Sequence, residues 1–406
     1  GGNGDGGNRH RGGCNTSCDV DDALTQQQSD DVGGGNGKMA PHATDALHDE
    51  LNESQRDAVF AEVGAVRVVA GPGSGKTRVL THRIAHLVRN VGAPASSIFA
   101  VTFTIKASEE MRLRVRKALG ARVSDQVTVG TFHGVCAKLL RRHGKALKAV
   151  VPGLTSSFKI IDTEDSHRRL TDAMKDMCVD FREYTPRAML SVISKLKNEG
   201  VGPEDMGQRA ESEGLKGAAS DRTGTIAEVY ALYQSRLVQA NALDFDDIIL
   251  VALRLLQQDA EVFRAVGRQY RHIVVDEWQD TNGPQYDIVL EIVRAGREAE
   301  LAREENAWRA AQAEGQQGDN GDPPPLPPPP PPPPSIFVVG DTDQCIYKFR
   351  GADYTNVTRF VKDFDKCQTV LLRQNYRSTA NIARAASAVI ARVSGRLEQP
   401  TTALQV

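Results

Sequence analysis

The stretch from Val66 to Thr77 constrains the fold more than any other part of the 406-residue sequence, because it combines three features in a fixed order. A short apolar run fits a buried strand, a glycine-rich turn follows at once, and the apolar periodicity after Thr77 predicts a helix. Glycines let successive backbone N–H groups converge on one anion, and the helix N-terminus adds a partial positive charge. This order predicts a phosphate-binding loop rather than a turn beside an exposed lysine.

The side chains of this loop have separate predicted roles. Lys76 would reach the β- and γ-phosphates of a nucleotide, and the Thr77 hydroxyl would ligate Mg²⁺. Ala70 stands where the strict pattern has glycine, and a small residue meets the same packing need. The predicted cofactor-binding segment consists of Ala70, Gly71, Pro72, Gly73, Ser74, Gly75, Lys76, Thr77 and Arg78.

Two adjacent carboxylates follow a second apolar run, Ile273 to Val275. Carboxylates at the end of a buried strand are costly unless they have a partner. Beside a phosphate-binding loop, Asp276 would hold Mg²⁺ and Glu277 would orient or deprotonate the attacking water. The alternative is a solvated acidic turn.

Further apolar runs at 98–104, 127–130, 336–340 and 369–372 predict more strands of the same sheet. Their carboxyl ends would carry Phe103, Thr131 and His133 at the edge where open α/β sheets bind ligands. Aromatic and basic residues alternate from 347 to 350, and rings that stack on bases beside cations that pair with phosphates suit single-stranded nucleic acid. Arg377, after the last strand, is a candidate arginine finger.

Composition and spacing predict the domain organisation. The net charge is −2, but residues 101–150 carry eleven Lys or Arg and three acidic residues. This basic segment could bind an anionic polymer, or it could be a solvated helix face. Six scattered cysteines fit a reducing compartment, and no apolar run approaches the ~20 residues of a membrane span, so no membrane partner is expected. We predict a disordered tail at 1–48, an α/β domain at 49–135 and 240–375, a helical insertion at 136–239, and an interruption of the α/β domain at 297–335.

Eight consecutive prolines, 327–334, lie within this interruption. They predict a polyproline II rod that an SH3- or profilin-type partner could bind, although a tolerated surface insertion is the favoured interpretation.

Taken together, the blocks from Leu51 to about Ile390 resemble the UvrD/Rep/PcrA family of superfamily 1 DNA helicases. The motifs that carry the resemblance are LNESQRDAV, AGPGSGKT, AVTFTIKA, GTFH, NALDFDD, VDEWQDTN, VGDTDQCIYKFRGAD and QNYRS.

This resemblance implies a role for each matching residue. Gln55, whose amide offers both a donor and an acceptor, would read adenine, Arg83 would contact the nucleotide, and Tyr376 would stack on the base. Gln344 and Arg377 would sense the γ-phosphate. The expected contacts to single-stranded DNA are Phe103, Thr131, His133, Phe349 and Arg350. Ile105 and Trp278 depart from a common Asn and Phe of the family.

The expected fold class is therefore α/β, a RecA-like P-loop NTPase sheet flanked by helices, with an inserted helical subdomain. The resemblance implies an ATP-dependent 3′-to-5′ DNA helicase that uses ATP and Mg²⁺ and acts on single-stranded DNA and 3′-tailed duplex. Residues 376–406 would begin a second domain, so the chain is expected to be a fragment. Rival interpretations are the ATPase half of a helicase–nuclease, an RNA-directed relative, or a degenerate nucleotide-binding scaffold whose proline segment recruits partners. The proline and glycine tracts lead us to expect a nuclear location, with a plastid as the alternative.

Overall fold

A six-stranded sheet forms the centre of the molecule. The structure, a computed structural model, describes residues 48–212, 218–315, 334–346, 352 and 355–392. The sheet strands are β1 (Ala65–Ala70), β2 (Ile98–Thr102), β3 (Thr128–Thr131), β6 (His272–Val275), β7 (Ser335–Gly340) and β8 (Gln368–Leu372), and a separate pair is formed by β4 (Lys159–Ile160) and β5 (Ala242–Leu243).

The strand order is β3-β2-β6-β7-β1-β8, and every neighbouring pair is parallel. All six carboxyl ends therefore meet at one edge of the sheet. The end of β7 lies between those of β1 and β6, which places the Asp341 loop between the phosphate-binding loop and the Asp276 pair. The predicted α/β class with a parallel sheet is confirmed.

Helices cover both faces of the sheet. On one side, the helices next to β1 bury aliphatic residues such as Val79, Leu80 and Met111; on the other, a larger core contains Trp278, Tyr286 and Phe360. The described helices are α1 (Glu53–Val59), α2 (Lys76–Arg89), α3 (Ile105–Leu119), α4 (Ala121–Ser124), α5 (Phe132–Arg142), α6 (Gly144–Val150), α7 (Thr163–Asp176), α8 (Pro186–Asn198), α9 (Met206–Ser212), α10 (Ala218–Gln239), α11 (Phe245–Gln258), α12 (Ala260–Gln269), α13 (Gly283–Gly315), α14 (Thr355–Asp363) and α15 (Ala380–Ile390).

The helical block between β3 and β6 has its own apolar core, which includes Leu170, Ile193 and Tyr230. Helix α8 begins as the sequence predicts, with Thr185 as N-cap and Pro186 at the first position. The short parallel pair of β4 and β5 joins the two ends of this block and was not predicted, because two-residue strands leave no periodic pattern.

A buried ionic cluster joins the block to α11. The Lys197 ammonium is fully buried and lies 2.6 Å from Asp244 Oδ2 and 2.7 Å from Asp247 Oδ1. Tyr233 donates a hydrogen bond to Asp244 over 3.0 Å, and Gln234 donates one to Asp247 over 2.7 Å. Because two carboxylates share one cation, each partner depends on the others for its charge to be compensated.

Several sequence-based predictions concern residues outside the described part of the chain. These are nearly all of the tail at 1–48, the first seven of the eight prolines, and both Phe349 and Arg350. Within the described residues, no helix is both long enough and apolar enough to cross a membrane.

Candidate active site

The phosphate-binding loop connects β1 to α2 and has the backbone geometry that an anion site needs. Gly73 and Gly75 adopt φ values of +69° and +89°, and the Ser74 hydroxyl donates to the Gly71 carbonyl over 2.7 Å. Helix α2 begins at Lys76 without a side-chain cap and without an acidic residue in its first turn. Its first N–H groups thus face the loop as donors for an anion.

Asp276 and Glu277 follow β6 at the same edge of the sheet. Lys76 Nζ lies 3.2 Å from Glu277 Oε2, so the structure brings the lysine of the loop and the second carboxylate into contact. Glu277 has φ +49°, a left-handed conformation that is costly for a residue with a side chain. This turn directs the two consecutive carboxylates differently: Asp276 is buried, whereas the Glu277 side chain is about one-third exposed.

The electrostatics of Asp276 match a cation site. Burial, together with the neighbouring Glu277 charge, raises its pKa to about 7, although Lys76 partly opposes the shift. Burial and the Glu277 charge also raise the pKa of Asp280 to about 6. Buried carboxylate oxygens that are costly to ionise favour a divalent cation, so the donor set fits Mg²⁺ held by Asp276 and the Thr77 hydroxyl.

Gln279 links the ends of β6 and β7, and sequence reasoning missed it. Its Nε2 donates to Glu277 Oε2 over 2.9 Å and to Asp280 Oδ2 over 3.2 Å, while its Oε1 accepts the Asp341 N–H over 2.9 Å. Gln344 in turn donates to Asp341 Oδ2 over 2.5 Å. The predicted γ-phosphate sensor Gln344 is thereby connected to Glu277 through Asp341 and Gln279. In the sequence, the glutamine of the DEWQD motif was the signal that could have identified Gln279.

The loop after β8 packs directly on the phosphate-binding loop. Tyr376 N–H donates to the Gly73 carbonyl over 2.8 Å, and Asn375 Oδ1 accepts the N–H groups of Arg377 and Ser378 over 2.7 and 2.9 Å. A Cβ on Gly73 would lie 2.6 Å from Arg377 Cβ. Only glycine permits this approach, which places Arg377, with an exposed side chain, beside the phosphate-binding loop.

Gln55 and Tyr376 lie at one end of this site. Gln55 is buried, accepts the Asn52 N–H over 3.2 Å and donates to the Ser74 carbonyl over 3.0 Å, so one donor and one acceptor position of its amide remain. The Tyr376 side chain is 57% exposed, and its hydroxyl accepts from Asn52 Nδ2 over 2.5 Å. Asn52 therefore joins the glutamine that we predict to read the base and the tyrosine that we predict to stack on it.

Two arginines of α2 lie elsewhere. Arg83 is fully buried and donates to the carbonyls of Val59, Ala61 and Glu62, so it completes the C-terminal end of α1. Burial lowers its pKa to about 10. This placement corrects the prediction that Arg83 contacts the nucleotide, because its guanidinium donates to backbone carbonyls instead. The exposed Arg78 side chain donates to the Glu50 carbonyl over 3.1 Å.

The expected DNA contacts cluster at the ends of β2 and β3. Phe103 and His133 are half-buried, and the Thr131 hydroxyl caps α5 by accepting the Gly134 N–H over 3.1 Å. The His133 ring lies 5.9 Å from that of Phe245, an aromatic that is 52% exposed. Phe245 was not singled out from the sequence, although it lies in the NALDFDD motif. An exposed ring beside these strand ends is a further candidate for stacking on a base.

Comparison with known proteins identifies the family. A family model described as the UvrD/REP helicase N-terminal domain matches residues 51–365. The chain belongs to the UvrD/REP helicase family.

Individual UvrD/REP relatives show how far the similarity extends. The ATP-dependent DNA helicase UvrD1 of Mycobacterium tuberculosis H37Rv is 40% identical over 371 residues, which cover 89% of this chain and 43% of the relative. The ATP-dependent DNA helicase PcrA of Bacillus subtilis is 36% identical over 346 residues, 85% of this chain and 40% of the relative. The chain thus spans less than half the length of these relatives.

The UvrD/REP comparisons overturn one prediction. Similar proteins come from Mycobacterium, Bacillus and Staphylococcus, among others, and these are bacteria. The nuclear location, and its plastid alternative, were inferred from proline and glycine tracts and are wrong. Such tracts are tolerated in loops of many proteins and do not report the compartment.

Proposed function

We propose that the chain is the ATP-hydrolysing portion of a 3′-to-5′ DNA helicase that translocates on single-stranded DNA. The observation that carries the proposal is the contact of Lys76 with Glu277 beside the buried Asp276, at the edge of a UvrD/REP-family sheet. Phosphoryl transfer to water needs a cation that binds the phosphates, a carboxylate that orients the water and a carboxylate that holds the metal. Lys76, Glu277 and Asp276 would fill these three roles.

The Lys76–Glu277 ion pair explains how phosphate binding could prepare the base. The β- and γ-phosphates compete for the Lys76 ammonium and release Glu277 Oε2 from it. Gln279 keeps Glu277 in place, because its hydrogen bond to the same oxygen does not depend on Lys76. The freed carboxylate then accepts a hydrogen bond from the attacking water and takes its proton. Thr77 and Asp276 would hold Mg²⁺, which would neutralise the charge of the phosphates.

The DNA contacts are connected to this chemistry by the adjacent strand β2. Thr102 Oγ1 lies 3.5 Å from Asp276 Oδ2, and the next residue is Phe103, which we propose to contact a base. Gln344 and Arg377 would report the γ-phosphate to the DNA contact expected at Phe349 and to a second domain. We infer that the described residues within 49–135 and 240–375, apart from the interruption at 297–335, form the ATP-binding domain and that those within 136–239 form a helical subdomain.

A strand-displacement assay on the full-length gene product tests the proposal. We expect ATP-dependent unwinding of a 3′-tailed duplex, none of a 5′-tailed duplex, and loss of unwinding in Glu277→Gln. Glu298→Gln, an exposed glutamate on α13, is the matched control and should unwind normally. Preference for a 5′ tail, or for an RNA track, would contradict the proposed direction or substrate, and shortened product strands on a denaturing gel would indicate a helicase–nuclease.

A further inference from the structure

A basic groove lies between α5, α6 and α12, away from the site described above. Its volume is about 1290 Å³, and six exposed Lys or Arg side chains line it. Among the described residues, none of these six side chains forms an ion pair. They are Arg141, Arg142, Lys145, Lys148, Arg264 and Arg268.

The charge of the groove is strongly one-sided. Two acidic residues line it, Asp259 and Glu261, so six cations minus two anions leave a net charge of +4. Asp259 is already engaged, since its Oδ1 accepts the N–H groups of Glu261 and Val262 at the start of α12. His143 adds no charge near neutral pH, because burial and the adjacent Arg142 lower its pKa. An excess of positive charge on one surface favours the binding of a polyanion.

Several contacts fix the walls of the groove. Arg141 lies over the Phe158 ring at 5.0 Å, and Arg142 donates to Gln269 Oε1 over 3.0 Å, which ties α5 to the end of α12. A Cβ on Gly144 would lie 2.7 Å from Ser156 Cβ, so the first turn of α6 is pressed against the following loop. The cations are therefore presented by a built surface rather than by a loose segment.

The groove lies apart from the predicted single-stranded DNA contacts. Helix α5 starts at Phe132, next to Thr131 and the carboxyl edge of the sheet, and ends at Arg142. Its 11 residues separate the two regions by about 16 Å along the helix axis, at about 1.5 Å per residue. A ligand in the groove would thus bind apart from the single DNA strand that we propose to cross Phe103.

We propose that this groove binds the phosphate backbone of duplex DNA. Among the described residues that line it, none is Phe, Tyr or Trp, so it lacks a broad aromatic platform on which an unpaired base would stack. Arg264 and Arg268 lie one helical turn apart, about 6 Å, and Lys145 and Lys148 form a second pair on α6. Two rows of cations without base contacts suit the closely spaced phosphates of a double helix, bound without regard to sequence. This inference goes beyond the proposed function, which needs no duplex contact here.

Binding of a blunt-ended duplex without ATP tests the proposal. The variant Lys145→Gln, Lys148→Gln, Arg264→Gln, Arg268→Gln is compared with wild-type chain over a range of salt concentrations. We expect its affinity to fall at least about tenfold near 0.1 M salt. The slope of log affinity against log salt should become shallower by about 0.9 for each phosphate that the variant no longer neutralises. Lys362→Gln, Lys366→Gln, which removes two exposed lysines elsewhere, should leave both quantities unchanged.

Two results would overturn the proposal. One is an unchanged duplex affinity and salt slope in the quadruple variant. The other is a loss of affinity for oligo-dT, with duplex binding intact, which would make the groove a single-strand site. A thermal melt of each variant verifies that the fold is retained. Because the assay contains no nucleotide, its outcome is independent of whether the chain hydrolyses ATP.

Discussion

Lys76 Nζ lies 3.2 Å from Glu277 Oε2, so the residue assigned to the phosphates and the residue assigned to the water neutralise each other in this structure. The pair also affects Asp276, because Glu277 raises the pKa of the buried carboxyl and Lys76 lowers it. The three side chains therefore form one electrostatic unit. A change in Lys76 or Glu277 thus alters the pKa of Asp276.

Gly73→Ala tests the contact between the phosphate-binding loop and the Arg377 loop. The left-handed backbone of Gly73 would cost an alanine about 1–2 kcal/mol, and the added Cβ would displace Arg377. We expect weaker nucleotide binding by isothermal titration and a lower melting temperature. Gly64→Ala is the matched control, since nothing lies within 4 Å of its added Cβ. Equal nucleotide affinity in both variants would show that the close approach to Arg377 is not needed for binding.

The pKa of Asp276 predicts how pH changes metal binding and stability. Its folded-state pKa of about 7 lies above the ordinary value of 3.8, so the folded chain holds a proton that the unfolded chain releases. Without metal, this contribution to stability is complete below about pH 4 and is lost as the pH rises to about 7. Apparent Mg²⁺ affinity should change in the opposite sense, falling up to about tenfold per pH unit below pH 7, because protons compete.

Asp276→Asn isolates this effect. In chelator, the variant should gain melting temperature over wild type at about pH 8 and little at about pH 5, and Mg²⁺ should no longer stabilise it. Asp280 and Asp341, whose pKa values are also raised, remain in both proteins, so the difference reports Asp276 alone. If the melting temperatures of the variant and of wild type changed with pH in the same way, the assignment of the raised pKa to Asp276 would be contradicted.

The sequence was sufficient to predict the six strands of the central sheet and the loops at their carboxyl ends. The reason is local: each buried strand is an apolar run followed directly by a motif, as at Val275 and Asp276. Arg83 was assigned incorrectly because position along a helix does not reveal which direction a long side chain takes. In this fold it is drawn to three carbonyls at the end of α1.

Contacts between distant segments were not predictable from local pattern. Gln279 reaches Asp341 across 62 residues of sequence, and Lys197 pairs with Asp244 across 47. Each of these residues looks like an ordinary surface residue when read in its own segment. Only the fold shows that Gln279 and Lys197 are buried and that each of them joins separate elements.

Lys197→Met tests the buried ionic cluster. Burial alone would lower the pKa of Lys197, but Asp244 and Asp247 hold it well above its ordinary value, so the lysine is charged in the folded chain. Its removal leaves two buried carboxylates uncompensated and should cost about 3–5 kcal/mol of unfolding free energy. The loss should be smaller at about pH 5 than at about pH 8, because burial and Asp244 raise the pKa of Asp247 to about 7 and it becomes protonated.

Lys195→Met is the control for this change. Lys195 lies on the same helix, its side chain is 74% exposed, and it lies 3.8 Å from Glu199 at the surface. It should change stability by less than about 0.5 kcal/mol in urea denaturation. Similar losses in the two lysine variants would show that the buried cluster does not stabilise the helical block.

The central claim, that the Lys76–Glu277–Asp276 unit hydrolyses ATP in response to DNA, is tested most directly by ATP turnover of the full-length gene product with and without oligo-dT. We expect DNA to stimulate turnover by wild-type protein. Lys76→Ala should abolish turnover and weaken nucleotide binding, since the phosphates lose their cation. Glu277→Gln should keep nucleotide binding and lose turnover by about 10²-fold or more, the scale of a positioned base. Turnover by Glu277→Gln at the wild-type rate, or wild-type turnover that DNA does not change, would contradict the account.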